Sequence, residues 1–442
     1  LRRVCWSVAA ALLAYQLFVP PIVGLSDQGD FQRMLGRFGY SVDESLRWAY
    51  VQPKFAPSSS SRLPAYEQAG SEYLFVATAV GLNRLVSRDG TLDIRLIGLV
   101  HLAAFLAAFA FLLKVTRPAV WIVALVIFTD VGYAAYWNSF YTEPASCIFL
   151  LLLLAESFLM LGRRVVEKAA LARWCLWAAL LVWAKSSNYP VGILLALFGV
   201  RLAFFGKGTR AVGIAGACAI AAITWVTMAT RPVPMQFATT YNAIFMGILP
   251  DSKDRAGDLA SMGLDPKLAD YSGTGAWTPR SAFGDLVNQR VSDRVTAGTV
   301  ARFYLEHPGR IWTRAGDLMP QAFSLRPEWC GNFEKSAGRA AGAKTGSFTL
   351  WSFVHERVFG GMGRMLLIAL GLIPVGLIGI WVRRPDQRLR IEFMGLLCAC
   401  ALIAFLTAAL GDAWDNVKHL FLFNLLLDSV LISGVQLARI EL

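Results

Sequence analysis

Long apolar runs recur from one end of this chain to the other, separated by short charged connections and by two much longer polar segments. At a helical rise of about 1.5 Å per residue, most of these runs reach across a hydrocarbon core of about 30 Å, so they predict transmembrane helices. Run length gives about ten spans, over residues 4–23, 96–113, 118–136, 145–161, 174–184, 190–205, 211–230, 362–382, 391–410 and 420–437, the fifth being short. The predicted fold is an all-α polytopic bundle. It divides into residues 1–230 with a first outer loop at 25–95, an extracytoplasmic segment at 231–361, and C-terminal helices at 362–442.

The first long segment contains "SEYLFVATAVGLNRLVSRDG", largely apolar but punctuated by Asn83, Arg84 and Arg88, which predicts an interfacial helix rather than a span. The second is rich in Gly, Asp, Arg and aromatics; it has helical stretches in "FGDLVNQRVSDRVTAGTVARFYLEHPGRIW" and a weak "KSAGRAAGAKTGS" that reads as a mobile loop. No internal repeat is visible, so an inverted-repeat transporter gains no support.

Composition agrees with the pattern. Of 442 residues, 56% are hydrophobic and 16% charged, which marks an integral membrane protein. The net charge of +12 raises the question of a nucleic-acid partner, but there is no basic helix or tail. No nucleic acid is expected. Instead the cations gather at one set of span ends: Arg2, Arg3, Lys114, Arg117, Arg163, Arg164, Lys168, Arg173, Arg201, Lys207, Arg210, Arg383, Arg384, Arg388, Arg390 and Arg439. Short basic connections face the cytoplasm, so both termini are expected there and the two long segments outside. Six of the seven cysteines lie in or beside apolar runs, leaving Cys330 alone, and no disulfide framework is implied. The absence of any Asn-x-Ser/Thr site favours a bacterial cytoplasmic membrane. The Leu1 start suggests a missing initiator region, and the first run, with no small-residue cleavage site after it, reads as a retained span.

Against this sparsely charged outer side, a few groups stand out. "GLSDQGDFQRML" follows the first run; Asp27 and Asp30 share a face if the segment is helical, with Arg33 one step further on. A carboxylate there serves either as a general base or as the N-cap of the next helix, and one Asp can cap while the other reacts. "YWNSFYTEP" crowds Asn138, Tyr141 and Glu143 into one outer connection, where an aromatic belt accounts for the rings but not for Glu143. "VWAKSSNYPVG" sets Lys185 and Tyr189 at the outer end of a short span, where a lysine either snorkels or receives a lipid phosphate. "GDAWDNVKH" brings Asp415, Lys418 and His419 to the mouth of the last span, as a phosphate-binding pair or as snorkelling groups bridged to Asp415. His101, Asp130 and Glu156 lie within apolar runs; Asp130 and Glu156 read as interhelix hydrogen-bonding groups. There is no Walker loop, no Gly-x-Gly-x-x-Gly before a helix, no His-Glu-x-x-His and no Cys/His metal spacing.

This layout resembles the GT-C superfamily of polytopic glycosyltransferases. "SDQGDFQRM" and "KHLFLFNLLLD" look most like the WsfD-type glycan hexosyltransferases. The resemblance implies inverting transfer of a hexose from a polyprenyl-phosphate-sugar donor to a glycan or lipid-linked acceptor at the outer face, with a catalytic carboxylate in the first outer loop. Here that means Asp30 or Asp27, although Gln28 and Gly29 separate two acids that are adjacent in many GT-C members. On this reading Asp30 is the base, with Asp27 or Glu143 sharing the role. Lys185, Lys418 and His419 hold the donor phosphate, with Arg33 behind them, and Asn138, Tyr141, Tyr189 and Asp415 line the sugar and acceptor side. No cofactor is required, though Asp27, Asp30 and Glu143 together offer oxygen ligands to a divalent metal. A flippase of lipid-linked sugars and an inactive subunit of a glycan-assembly complex are the rival readings.

Overall fold

The computed structural model describes residues 1–58, 69–163, 166–206 and 208–438; Arg164, Lys207 and Arg439, three of the predicted topology signals, lie outside the described residues. Every predicted span contains a helix, from Arg2–Phe18 to Phe421–Leu437. Among the described residues, five helices are long and apolar enough to cross a membrane, six if one bent pair counts as a single span, against the ten runs of the sequence. Arg2–Phe18, Lys168–Ala184 and Phe421–Leu437 have 17 residues each and Tyr189–Ala203 has 15. At about 1.5 Å per residue they fall short of a core of about 30 Å.

Apolar patterning sets the place of each helix. Glu143–Arg163 is buried on nearly every side, as an all-round apolar helix must be, and packs against Ile94–Val115 and Lys168–Ala184. Arg210–Ala229 instead buries a single stripe, Gly213, Ala217, Ile220, Thr224 and Thr227, against Lys168–Ala184 and Tyr189–Ala203. Its other face, with Trp225 and Met228 exposed, is left for lipid.

The third predicted span is broken, bending by 62° between Pro118–Phe128 and Val131–Trp137. A break in apolar surroundings frees backbone N–H groups where no water can reach them. Asp130 supplies the acceptors: it takes the N–H groups of Gly132, Trp351 and Ser352 at 2.8, 2.7 and 2.9 Å, together with the Ser352 hydroxyl. The other buried acids are also paired across elements. Glu156 takes two bonds from Arg173 at 2.9 Å, Glu72 meets His101 at 2.7 Å, and Asp428 gathers Tyr133, Trp351 and His355.

The two long polar segments interlock. Val23–Leu25 pairs antiparallel with Cys330–Phe333, and Val51 N–H donates to the Phe333 carbonyl at 3.0 Å. The stretch 335–347, predicted as a mobile loop, is fastened: Gly342 N–H donates to Ala49 at 2.9 Å, and Asn332 Nδ2 donates to the carbonyls of Gly342 and Ala343 at 3.1 and 3.3 Å. The predicted segment 231–361 is two pieces. Phe237, Tyr241, Phe245, Phe283 and Phe303 build a separate core, whereas Leu318, Phe323, Trp329 and Cys330 join the main one. Glu72–Val86 forms the predicted amphipathic helix, burying Phe75, Val76, Ala79, Val80 and Asn83 and exposing Leu82, Leu85 and Val86.

Helix Ile94–Val115 passes close beneath the loop at Asn138. A Cβ at Gly98 would lie 2.1 Å from Asn138 Oδ1, whereas one at Gly81 would meet nothing within 4 Å. Gly98→Val is expected to cost about 1–3 kcal/mol of stability by overpacking, and Gly81→Ala to hold or raise it; thermal unfolding of the detergent-solubilised chain checks both.

Candidate active site

The first helix ends at Phe18, the strand Val23–Leu25 fixes the chain against Cys330–Phe333, and the loop that follows carries both aspartates. They do not share a helical face, because helix begins only at Phe31 and Gly29 turns the chain with φ +110°. Asp27 has the capping role. Its Oδ1 accepts the N–H groups of Gly29 and Phe31 at 2.9 and 3.0 Å and its Oδ2 accepts Arg47 Nε at 3.2 Å. With its oxygens engaged and 3% exposed, it is a fixture of the loop. Burial outweighs these donors and lifts its pKa above the ordinary value.

Asp30 makes no backbone cap. One oxygen pairs with Arg33 at 2.9 Å, the predicted i, i+3 contact, and the other with Lys418 from the far end of the chain. Burial alone would raise this carboxyl, but Lys418 and Arg33 outweigh it and hold Asp30 well below the usual carboxylate range. Lys418 is buried, 4.8 Å from the ring centroid of Tyr141 and 5.7 Å from that of Trp329, two rings stacked at 5.0 Å. Burial lowers its pKa, yet Asp30, Asp415 and Glu143 raise it further, so it stays charged. Asp415, in the left-handed region at φ 53°, lies 4.0 Å from Lys418 and accepts Gln28 Nε2 at 2.7 Å.

A second pair stands beside the first. Glu143 opens helix Glu143–Arg163 and Lys185 ends helix Lys168–Ala184; they meet at 2.7 Å, and the buried Oε2 of Glu143 has no hydrogen-bond partner. The two pairs are close enough for Lys185 to lower the pKa of Asp30. His419 turns away from Lys418 toward Asp412, 3.4 Å distant; burial and the charges of Lys185 and Lys418 hold its pKa well below the ordinary value. It therefore brings a neutral ring and no second charge.

Of the predicted residues, the fold gathers Asp30, Arg33, Tyr141, Asp415 and Lys418, sets Glu143 and Lys185 beside them, and leaves Asp27 beneath as loop support. Asn138 does not join them. It is fully buried and donates to the Leu17 carbonyl at 2.9 Å, tying the first helix to the strand. Tyr189 stands on the His419 side, near Arg231 and Asp412. Asp27, Asp30 and Glu143 are each held by a different basic residue, and among the described residues no three His, Cys, Asp or Glu side chains gather to hold a metal ion. Sequence reading left Gln28, Arg47, Trp329, Arg231 and Asp412 out of the site. Only Asp412, three residues before Asp415, carried a local signal.

These features define a polytopic membrane protein with a buried carboxylate and cation cluster at one end of its bundle. The chain belongs to the family described as the YfdI N-terminal transmembrane domain, whose model matches residues 4–440. No curated protein and no solved structure matches it.

Asp412 gives the cluster a pH signature. It accepts from Asn242 and from Trp414 N–H at 3.0 Å, but burial prevails and lifts its pKa from 3.8 to about 7. An acid whose folded pKa is raised binds its proton more tightly when folded, so its contribution to stability falls as pH rises from about 4 to 7. Asp412→Asn is expected to stabilise the chain at pH 8 relative to pH 5, with a ceiling of about 3 kcal/mol between those two pH values. Melting curves of both forms at the two pH values measure it.

Proposed function

We propose that this chain is a GT-C-type glycosyltransferase that moves a hexose from a polyprenyl-phosphate-linked donor to a glycan acceptor, with inversion, at the extracytoplasmic face of a bacterial cytoplasmic membrane. The observation that carries the reading is the part-buried Asp30–Lys418 pair, with Glu143–Lys185 beside it, at the bundle end opposite Arg2 and Arg3. The family match supports the membrane architecture. The WsfD-type likeness of "SDQGDFQRM" and "KHLFLFNLLLD" supports a hexose donor and a glycan or lipid-linked acceptor.

The chemistry follows from who shares Lys418. At rest its ammonium neutralises Asp30 and makes it a poor base. A donor phosphate entering between Lys418 and Lys185 competes for that cation, and Asp30 regains basicity at the moment the sugar is in place. The acceptor hydroxyl then attacks the anomeric carbon; its proton passes to Asp30, the bond between that carbon and the phosphate oxygen breaks, and the electron pair leaves on the phosphate. Lys185 and Lys418 stabilise the departing phosphate as positioned cations. The unpartnered Oε2 of Glu143 offers an acceptor for a sugar or acceptor hydroxyl. Asp27 and Arg47 fix the loop that aims Asp30.

A flippase would need polar groups along the whole path of the sugar. The central helix Glu143–Arg163 is instead apolar between Ser146 and Glu156, which favours a one-sided enzyme.

With purified protein and a polyprenyl-phosphate-hexose donor, Asp30→Asn is expected to lower the rate of transfer by about 10²–10⁴-fold. Lys418→Met is expected to weaken donor binding as well as turnover. Asp27→Asn is expected to act mainly on stability, about 1 kcal/mol, because the amide oxygen still caps Phe31 while the Arg47 pairing is weakened. Unchanged transfer by Asp30→Asn, in protein that melts normally, would remove Asp30 from the reaction.

A further inference from the structure

At the other end of the bundle, a cavity of about 650 Å³ opens between the starts of helices Pro118–Phe128 and Arg388–Gly411 and the ends of Glu143–Arg163 and Phe421–Leu437. Two helix starts and two helix ends converge there, so their dipoles largely offset and the side chains decide the sign of the field. Among the described residues the charged lining consists of Arg117 and Arg390, with no carboxylate. Gln436 lines the cavity and spends its Oε1 on the Arg117 backbone N–H at 3.2 Å; Arg390 donates one bond to Gln387 at 3.1 Å. Arg117 Nε is buried without a hydrogen-bond partner. An unsatisfied buried donor on a charged group is costly, so this guanidinium is an incomplete site.

The cavity near the outer face supplies the contrast. Lys54 and Arg95 line that space of about 540 Å³, but Asp89 and Asp93 line it too, and Asp93 engages Arg95 in two bonds at 2.9 and 2.5 Å. Its charge is spent internally. At Arg117 and Arg390 it is not, and the rest of that wall is apolar, with Phe158, Leu161 and Leu437.

We propose that the Arg117–Arg390 cavity binds the headgroup of an anionic phospholipid. The guanidinium groups match phosphate oxygens with paired donors, and the apolar wall covers the glycerol and first methylenes, which a free anion would leave unpaired. Basic pockets between helix ends at the membrane surface are where such headgroups are held. This site stands apart from the Asp30 cluster and does not depend on the transfer reaction.

Native mass spectrometry of the full chain in detergent, titrated with phosphatidylglycerol or phosphatidylcholine of the same acyl chains, tests it. The expected result is retention of phosphatidylglycerol about tenfold over phosphatidylcholine, the worth of one charge-assisted contact. Arg117→Gln with Arg390→Gln is expected to bring retention down to the phosphatidylcholine level. Arg383→Gln with Arg384→Gln, which removes the same charge from the same end outside the cavity, is expected to leave it nearly intact. Equal retention of both lipids by the unaltered chain, equal loss in both double variants, or displacement of the lipid by millimolar inorganic phosphate would overturn the proposal. The comparison of lipids on the unaltered chain decides it even if the first double variant fails to fold.

Discussion

A carboxylate and an ammonium taken out of water lose several kcal/mol of hydration each, and only close pairing with further hydrogen bonds recovers it. The Asp30–Lys418 contact meets that condition with Arg33, Asp415 and the faces of Tyr141 and Trp329 around it. Much else follows from the need to hold those two charges together: the strand pair that fixes residues 23–25, the turn at Gly29, the Asp27 cap, and the left-handed residue Asp415 that starts the short helix Asn416–His419. Elsewhere in the bundle the same rule applies, with Asp130 closing a helix break and Glu156 meeting Arg173.

The pairing also separates two acids that look alike. Asp27 is locked by two backbone donors and an arginine, so it has little to offer a substrate. Asp30 is held by side chains alone, and side chains can change partners when a competing anion arrives. On the proposed reading, stability and reactivity fall to different members of one short motif.

The helices were legible because apolar run length is a local property. The break at residues 128–131 was not, since the run continues through it and only Asp130, bonded to Trp351 and Ser352 from far along the chain, makes the bend tenable. The strap at 335–347 was misread for a similar reason: its glycines and small residues suggest freedom, whereas its fastening comes from Ala49 and Asn332. In the candidate site, charges isolated on a charge-poor side pointed to Asp30, Glu143, Lys185 and Lys418. Asn138 looked equally exposed in sequence, but it is fully buried away from the cluster and its Nδ2 is spent on the Leu17 carbonyl. Trp329 and Arg47 gave no local sign, because each matters only through a partner distant in the chain.

The partners Asp30 and Lys418 stand 388 residues apart. During synthesis the aspartate emerges with the first helix, and its lysine is made only as the last helix is about to follow. A chain halted anywhere before that point carries the acid without the cation that shelters it. The cluster therefore cannot close before Lys418 has been made, however early the loop that carries Asp30 appears.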